Sequence, residues 1–253
     1  EQYKPRFSNS WDEYRNSIWH RVGYVNWGYE AIGRFQNWEQ IANYPIDNDR
    51  KGNRTVVPGD IMYKDQNNDG VINYLDERPI GYRVDSTPTL NFGINLSASW
   101  KGFDLAMDWT GSGMTSWNQC YETARPFQND GNSPDEVLKD AWHLSDIWDA
   151  NSPLIPGKYP MIRLNTDETS AYDKSSYWLH NVTYLKLRNL EVGYTFPKTW
   201  LNKTGISNLR LFVSGTNLLT LSNLSVMDPE CASDNGLDYP PMRVINIGVN
   251  LKF

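Results

Sequence analysis

The sequence lacks long hydrophobic runs, a surplus of basic residues and a recognisable catalytic motif. No apolar stretch extends to about 18 residues, which excludes a transmembrane helix. The net charge of −6 leaves no basic stripe for phosphates and argues against a nucleic-acid partner. The lack of long apolar runs does not exclude transmembrane β-strands, because the hydropathy of their alternating residues averages to a polar value.

Catalytic signals are equally scarce. The three histidines lie far apart in the sequence, and neither a GxSxG nucleophile motif nor a glycine-rich phosphate loop occurs. We therefore predict that the chain is not an enzyme.

Only two cysteines occur, Cys120 and Cys231, and neither lies in a CxxC motif or a Cys/His cluster. Two interpretations stay open: one disulfide in an oxidising compartment, or two free thiols.

Aromatic residues, by contrast, are plentiful. The chain has 11 Trp and 15 Tyr, although only 39% of its residues are hydrophobic. This combination is typical of proteins that present Trp and Tyr to a membrane interface or to sugar rings.

Five segments alternate apolar and polar residues over unusual lengths. They are residues 89–100, 103–113, 183–196, 209–221 and 243–253. Transmembrane strands need about 9–11 residues, whereas strands of soluble proteins usually run to about 5–6. The alternation slips near Arg188 and Asn189, which predicts a β-bulge. The segments therefore predict an all-β fold of long antiparallel strands.

The connections at one end of these strands are short, whereas those at the other end are long. WKGF and PKTWLNKTGISN are short, whereas residues 21–87, 115–182 and 222–242 are long and rich in Asn, Asp, Pro and Trp. If strand direction alternates, every long connection lies on one side, as in outer-membrane barrels. We predict a loop region at 1–87 and barrel strands with two further loops at 88–253.

Short helices are expected inside the long connections. Residues 133–144 open with Ser133, Pro134 and Glu136, the pattern of a capping box. Residues 37–44 are a second candidate helix.

The sharpest local motif is DQNNDGVINYLD, residues 65–76. It matches a twelve-residue calcium loop, with Gly70 at the sharp turn and Asp, rather than Glu, at position 12. The expected ligands are Asp65, Asn67, Asp69, the carbonyl of Val71, Asn73 and Asp76. The alternative is a turn closed by Asx hydrogen bonds without a metal.

Several strings together resemble the SusC/RagA family of TonB-dependent outer-membrane transporters of Bacteroidetes. They include GYEAIGRFQNWEQI, VPGDIMYKDQNNDGVINYLDERPIG, TPTLNFGINLSASWKGFDLAMDWTGSG and the ending RVINIGVNLKF. The strings occur in order, and the resemblance covers roughly residues 22 to 253.

The resemblance implies a 22-stranded barrel with a plug, set in outer-membrane lipid. It also implies uptake of a glycan or peptide, driven by TonB, with a SusD-like lipoprotein as an outer lid. Long loops would be extracellular and the C-terminus periplasmic. Phe253, after alternating apolar residues, resembles a barrel-assembly signal.

Five strands are too few to close a membrane barrel, which needs at least about eight. We therefore expect the C-terminal quarter of a SusC-like barrel, either cleaved, separately encoded or part of a longer chain. The remaining strands, the plug and the TonB-contacting segment would then lie elsewhere. The alternative from another class is a secreted, calcium-stabilised, carbohydrate-binding β-sandwich.

Overall fold

The computed structural model describes residues 6–17, 25–82, 88–164, 168–202, 205–230 and 235–253. Its strands are β1 (Asn26–Gly28), β2 (Ala31–Arg34), β3 (Ile61–Tyr63), β4 (Arg78–Gly81), β5 (Leu90–Trp100), β6 (Phe103–Asn118), β7 (His143–Leu144), β8 (Leu154–Ile155), β9 (Leu179–Thr195), β10 (Asn208–Ser222) and β11 (Val244–Lys252). Its α-helices are α1 (Ser10–Asn16), α2 (Trp38–Ala42), α3 (Asp135–Lys139) and α4 (Lys198–Leu201). None of the helices in these ranges is long and apolar enough to cross a membrane.

The chain divides into two compact units. The first, the loop unit, comprises Glu1–Val84 and Trp117–His180. The second, the sheet unit, comprises Asp85–Ser116 and Asn181–Phe253.

The sheet unit is built on one five-stranded sheet in the order β11-β10-β9-β6-β5. The strands β5 and β6 pair antiparallel, as do β9 with β10 and β10 with β11. The predicted fold of long antiparallel strands is confirmed, and the sheet does not close into a barrel within the described residues.

Cross-strand partners align apolar residues on one face of the sheet, both between β5 and β6 and across β9, β10 and β11. Leu96 lies opposite Met107, and Val213 lies opposite both Val192 and Ile247. Directly opposed residues of antiparallel strands point to the same side, so each group of pairs forms an apolar patch. The apolar surface made up of these patches is exposed, with Ile247 83% accessible.

The predicted irregularity in β9 is confirmed. Arg188 Nε donates to the Thr110 hydroxyl at 2.9 Å, and the adjacent Asn189 Nδ2 donates to Asp108 at 3.2 Å. Consecutive residues of a regular strand point to opposite faces, whereas these two reach the same face of β6. The register between β9 and β10 shifts at the same place.

Both predicted short helices form. Helix α2 forms, and the Asn37 side chain accepts from the Gln40 N–H at 2.8 Å. A short helix also forms within 133–144, namely α3, but the predicted capping box is absent. Glu136 instead accepts from Lys158 Nζ at 2.9 Å, and the Ser133 hydroxyl is buried without a hydrogen-bond partner among the described residues.

Aromatic packing forms the core of the loop unit. Trp178 is 2% exposed, stacks against Tyr159 and Tyr172, and donates from Nε1 to the Ala171 carbonyl at 2.9 Å. The Tyr63 side chain is fully buried and its hydroxyl donates to the Ser170 carbonyl at 2.7 Å. This core joins the two chain segments of the loop unit.

Candidate functional site

The segment 65–76 lies between β3 and β4 in the loop unit. Gly70 has φ +84°, a left-handed conformation that glycine adopts without strain. Ile72 is fully buried and anchors the loop in the aromatic core. The segment ends in a 3₁₀ turn, Tyr74–Asp76, which brings the last carboxylate back towards the first.

Three carboxylates of this loop come together. Oxygens of Asp65, Asp69 and Asp76 all lie within 4.8 Å of one another. A calcium ion binds oxygens at about 2.3–2.6 Å, so two of its ligands are at most about 5 Å apart. The spacing therefore fits a single calcium ion, and the hard oxygen donors are those that calcium prefers.

Backbone groups hold these carboxylates in place. Asp65 accepts from the Asn68 and Gly70 N–H groups at 2.7 and 2.8 Å. Asp76, which is fully buried, accepts from the Gln66 and Asn73 N–H groups, both at 2.8 Å. Backbone N–H groups thus fix the orientations of the Asp65 and Asp76 carboxylates, whereas Asp69 is exposed.

The other expected ligands lie in the same loop in a different orientation. Asn67 Nδ2 donates to Asp69 at 2.9 Å, and Asn73 Nδ2 donates to Asp69 at 3.2 Å and to the Val71 carbonyl at 3.1 Å. Both amides therefore present nitrogen towards the carboxylates. Direct coordination requires the amides to rotate, or a bridging water at position 9, as EF-hands often use.

Hydrogen bonds favour the charged form of one carboxylate. The Val71 N–H, followed by the Asn67 side chain, lowers the pKa of Asp69. Asp69 is therefore ionised at neutral pH, close to two other carboxylates.

A second polar turn is joined to this loop, and sequence reasoning missed it. The Asp47 N–H donates to the Gly70 carbonyl at 2.8 Å, and the Ile72 N–H donates to the Asp47 carbonyl at 3.0 Å. Burial raises the pKa of Asp49, but hydrogen bonds from Thr55 and other N–H groups outweigh it and lower the pKa to about 2. The spacing of Asp and Asn in 47–53 is the signal that marks this turn.

The sheet unit holds an ion cluster that sequence reasoning also missed. Lys186 of β9 is 1% exposed, and its Nζ contacts both oxygens of Asp228 at 2.6 and 2.8 Å and Glu230 at 2.8 Å. Arg188 also pairs with Glu230. These contacts fasten the segment after β10 to the polar face of the sheet.

A second ion cluster lies on the same polar face. Arg210 of β10 pairs with Asp104 of β6 and, at 2.6 Å, with Glu191 of β9. Three neighbouring strands are thus linked by charge on the face opposite the apolar surface.

The remaining predicted residues are the two cysteines and the terminal Phe253. Cys231 lies outside the described residues, so the disulfide with Cys120 stays a prediction. Phe253 follows β11 and is 84% exposed, and its role in assembly likewise stays a prediction.

Comparisons with known proteins agree with the sheet architecture. No protein-family model matches the chain. TonB-dependent receptor P3 of Formosa agariphila is 30% identical over 243 residues, which cover 88% of this chain and 22% of the receptor. TonB-dependent receptor SusC of Bacteroides thetaiotaomicron is 24% identical over 252 residues, covering 92% of this chain and 20% of the receptor.

A solved structure of the RagAB peptide transporter matches with a TM-score of 0.58 and 22% identity. The match covers 90% of this chain and 22% of the transporter chain. The chain therefore spans about a fifth of the length of the relatives it matches. They are named as receptors and transporters, in agreement with the prediction that the chain is not an enzyme.

Proposed function

We propose that the chain is a SusC/RagA-like C-terminal segment of a TonB-dependent receptor and that it forms barrel wall and outer loops of a nutrient importer. The importer takes up a glycan or a peptide across the outer membrane, is driven by TonB and works with a SusD-like lipoprotein. The observation that carries this proposal is the two-faced sheet, apolar and exposed on one side and charged on the other.

The apolar face supports a lipid environment. Ile245, Ile247 and Phe253 are each more than two-thirds exposed, and they continue the apolar surface of the neighbouring strands. A surface of this extent in water is an aggregation hazard, whereas lipid covers it without cost. The charged face would then line the lumen, and the long connections would lie outside the cell.

The sheet edges support a larger assembly. β5 and β11 are the outer strands, and each leaves one row of backbone groups unpaired by the sheet. Each unpaired backbone group in lipid costs roughly several kcal/mol, because no water is present to bond it. The missing strands of the barrel would pair with both edges, and its plug would fill the lumen.

The alternative β-sandwich requires a second sheet over the apolar face. Within the described ranges, the other sheets have only two strands each. The sandwich is therefore the weaker proposal.

A matched pair of substitutions tests the lipid assignment. Ile247→Lys puts a charge on the apolar face, whereas Asn246→Lys puts the same charge on the other face of β11. A lipid-facing Lys costs about 2–4 kcal/mol at the bilayer centre, and a lumen-facing one is tolerated. In the complete receptor we expect I247K to reduce the amount of heat-modifiable, folded protein in outer membranes, with N246K close to wild type. Equal amounts of both variants contradict the assignment.

Uptake is tested in the bacterium that produces the receptor. We expect deletion of the complete receptor gene to abolish growth on one nutrient class, either defined glycans or peptides, while growth on simple sugars is retained. Normal growth on both classes contradicts an importing role.

We also propose that calcium occupies the loop 65–76 and stiffens it where it meets cargo or the SusD-like partner. The proposal is supported by the clustering of Asp65, Asp69 and Asp76, whose mutual repulsion a divalent cation would relieve. Calorimetry on the complete receptor tests it with Asp69→Asn, and with Asp135→Asn as an exposed control outside the loop. We expect D69N to weaken one calcium-binding event and D135N to leave it unchanged. Identical calcium titrations of D69N and D135N would refute the proposed calcium site.

A further inference from the structure

A cavity of about 490 Å³ opens in the loop unit, beside the candidate calcium loop. Its wall carries the rings of Trp27 and Tyr29 together with basic side chains of Arg15, Arg50 and Lys174. The volume is in the range of small-molecule binding sites, and a few polar groups among aromatic rings are typical of them.

Arg50 is the group best placed to hold a ligand. Its Nη1 donates to the Tyr29 hydroxyl at 3.3 Å, and its Nη2 donates to Asp173 at 2.8 Å. A guanidinium has five N–H groups, so these two bonds leave further donors. The Arg50 side chain is 43% exposed, which lets a ligand reach it.

The charges around the cavity favour a negatively charged ligand. Two acidic side chains, Glu77 and Asp173, face three basic ones. Arg15 pairs with Glu77 and Arg50 pairs with Asp173, so the basic side chains of the wall exceed the acidic ones by one. The planar fork of an arginine matches a carboxylate, which it can bind through two hydrogen bonds.

The candidate calcium loop positions two charged parts of the cavity wall. Glu77 directly follows Asp76, the buried carboxylate at position 12. Arg50 lies three residues after Asp47, and the N–H and carbonyl of Asp47 form hydrogen bonds with Gly70 and Ile72 of the loop. The loop is therefore joined to both of these parts of the wall.

We propose that this cavity binds a carboxylate-bearing ligand through Arg50, and that calcium in the loop 65–76 strengthens the binding by holding the cavity walls in place. A uronate unit of a glycan and the C-terminus of a peptide both supply this carboxylate. The calcium dependence rests on the calcium site proposed above, whereas the carboxylate binding does not.

The test is calorimetry on the purified, complete receptor in millimolar calcium. Trigalacturonic acid and trialanine are the two carboxylate probes, and maltotriose and trialanine amide are their uncharged or amidated counterparts. We expect one acid probe to bind at least tenfold more tightly than its counterpart, and its identity distinguishes glycan from peptide. No binding of either acid probe, or equal binding of acid and counterpart, overturns the proposal.

Variants of one turn locate the site. Arg50→Gln removes the anchoring charge, and Lys51→Gln removes the neighbouring charge, whose Nζ contacts the Glu168 carbonyl instead. Loss of a charge-assisted hydrogen bond corresponds to about tenfold or more in affinity, so we expect R50Q to show this loss and K51Q to bind as wild type does. An unchanged amount of heat-modifiable, folded R50Q in outer membranes serves as the folding check, and Arg50→Lys, which keeps the charge without the fork, should bind with intermediate affinity. Equal affinities of R50Q and K51Q overturn the site.

Chelation separates the two parts of the proposal. We expect removal of calcium to lower the affinity of wild type for the acid probe several-fold, and an unchanged affinity overturns the calcium dependence alone. Receptor that remains folded in the outer membrane but binds neither acid refutes this cavity and leaves the importer proposal intact.

Discussion

Replacing Lys186 by Met should release the segment after β10 from the sheet. The Lys186 ammonium is almost completely buried and contacts the carboxylates of Asp228 and Glu230 within 2.8 Å. Methionine has similar length but no charge, so the substitution leaves Asp228 poorly exposed and without this partner. Glu230 keeps its pairing with Arg188.

The expected magnitude follows from burial. Removing one partner of a buried ion pair costs about 3–5 kcal/mol. Because Arg188 still neutralises Glu230, the lower end, about 3 kcal/mol, applies to the opening of this segment. At about 1.4 kcal/mol per factor of ten, the opening equilibrium should shift by about a hundredfold.

Hydrogen exchange followed by mass spectrometry on the complete receptor measures this opening. Amides of 223–230 are the reporters, among them the Glu230 N–H, which donates to Asp228 at 2.9 Å. The matched control is Lys139→Met, because Lys139 pairs with Asp135 at the surface, where both side chains are about three-quarters exposed. Such a pair contributes at most about 1 kcal/mol.

The reasoning is refuted if K186M exchanges within about threefold of wild type at these amides, the range expected of the surface control. A double variant adds a second check. Lys186→Met with Asp228→Leu removes both charges, and it should regain most of the lost protection, because replacing a whole buried pair by apolar groups is often neutral.

Two further predictions concern the loop unit. Hydrogen bonds lower the pKa of Asp49 to about 2, so its ionised carboxylate stabilises the fold above about pH 4. About 2 kcal/mol of this stabilisation is lost between pH 4 and pH 2. Asp49→Asn should therefore flatten that part of an acid-unfolding curve followed by Trp fluorescence. Gly59→Ala should lower the unfolding temperature of the unit more than Gly52→Ala, and equal shifts would contradict the packing. Both glycines have positive φ, but only a Cβ at Gly59 would collide with Trp142, at 2.5 Å.

Sequence reasoning predicted those features that depend on neighbours along the chain. Period-two alternation is local, and it gave the faces of β5 and β11 and the slip at Arg188 correctly. The calcium-type loop is also local, and its three carboxylates do meet. The short helix expected within 133–144 forms over Asp135–Lys139, but its capping box is absent, and Glu136 pairs instead with Lys158, which lies 22 residues later.

The cavity and the ion clusters could not be predicted, because their partners are distant in the sequence. Arg50 and Asp173 are separated by 123 residues, and Lys186 and Asp228 by 42. Nothing in the alternation of β9 distinguishes Lys186 from a solvated lysine. Only the fold shows that it is buried among carboxylates.

The charged clusters also explain how a chain with a mean hydropathy of −0.63 forms a sheet with an apolar surface. Arg210, Asp104 and Glu191 all lie within strands, and a sliding average counts them against a membrane. In the structure they neutralise one another across neighbouring strands on one face, while Val192 and Leu211 remain on the other. These paired charges all lie on the face opposite the apolar surface. The low mean hydropathy of the chain therefore comes from its polar face and its loops. The lipid affinity of such a chain must therefore be judged face by face.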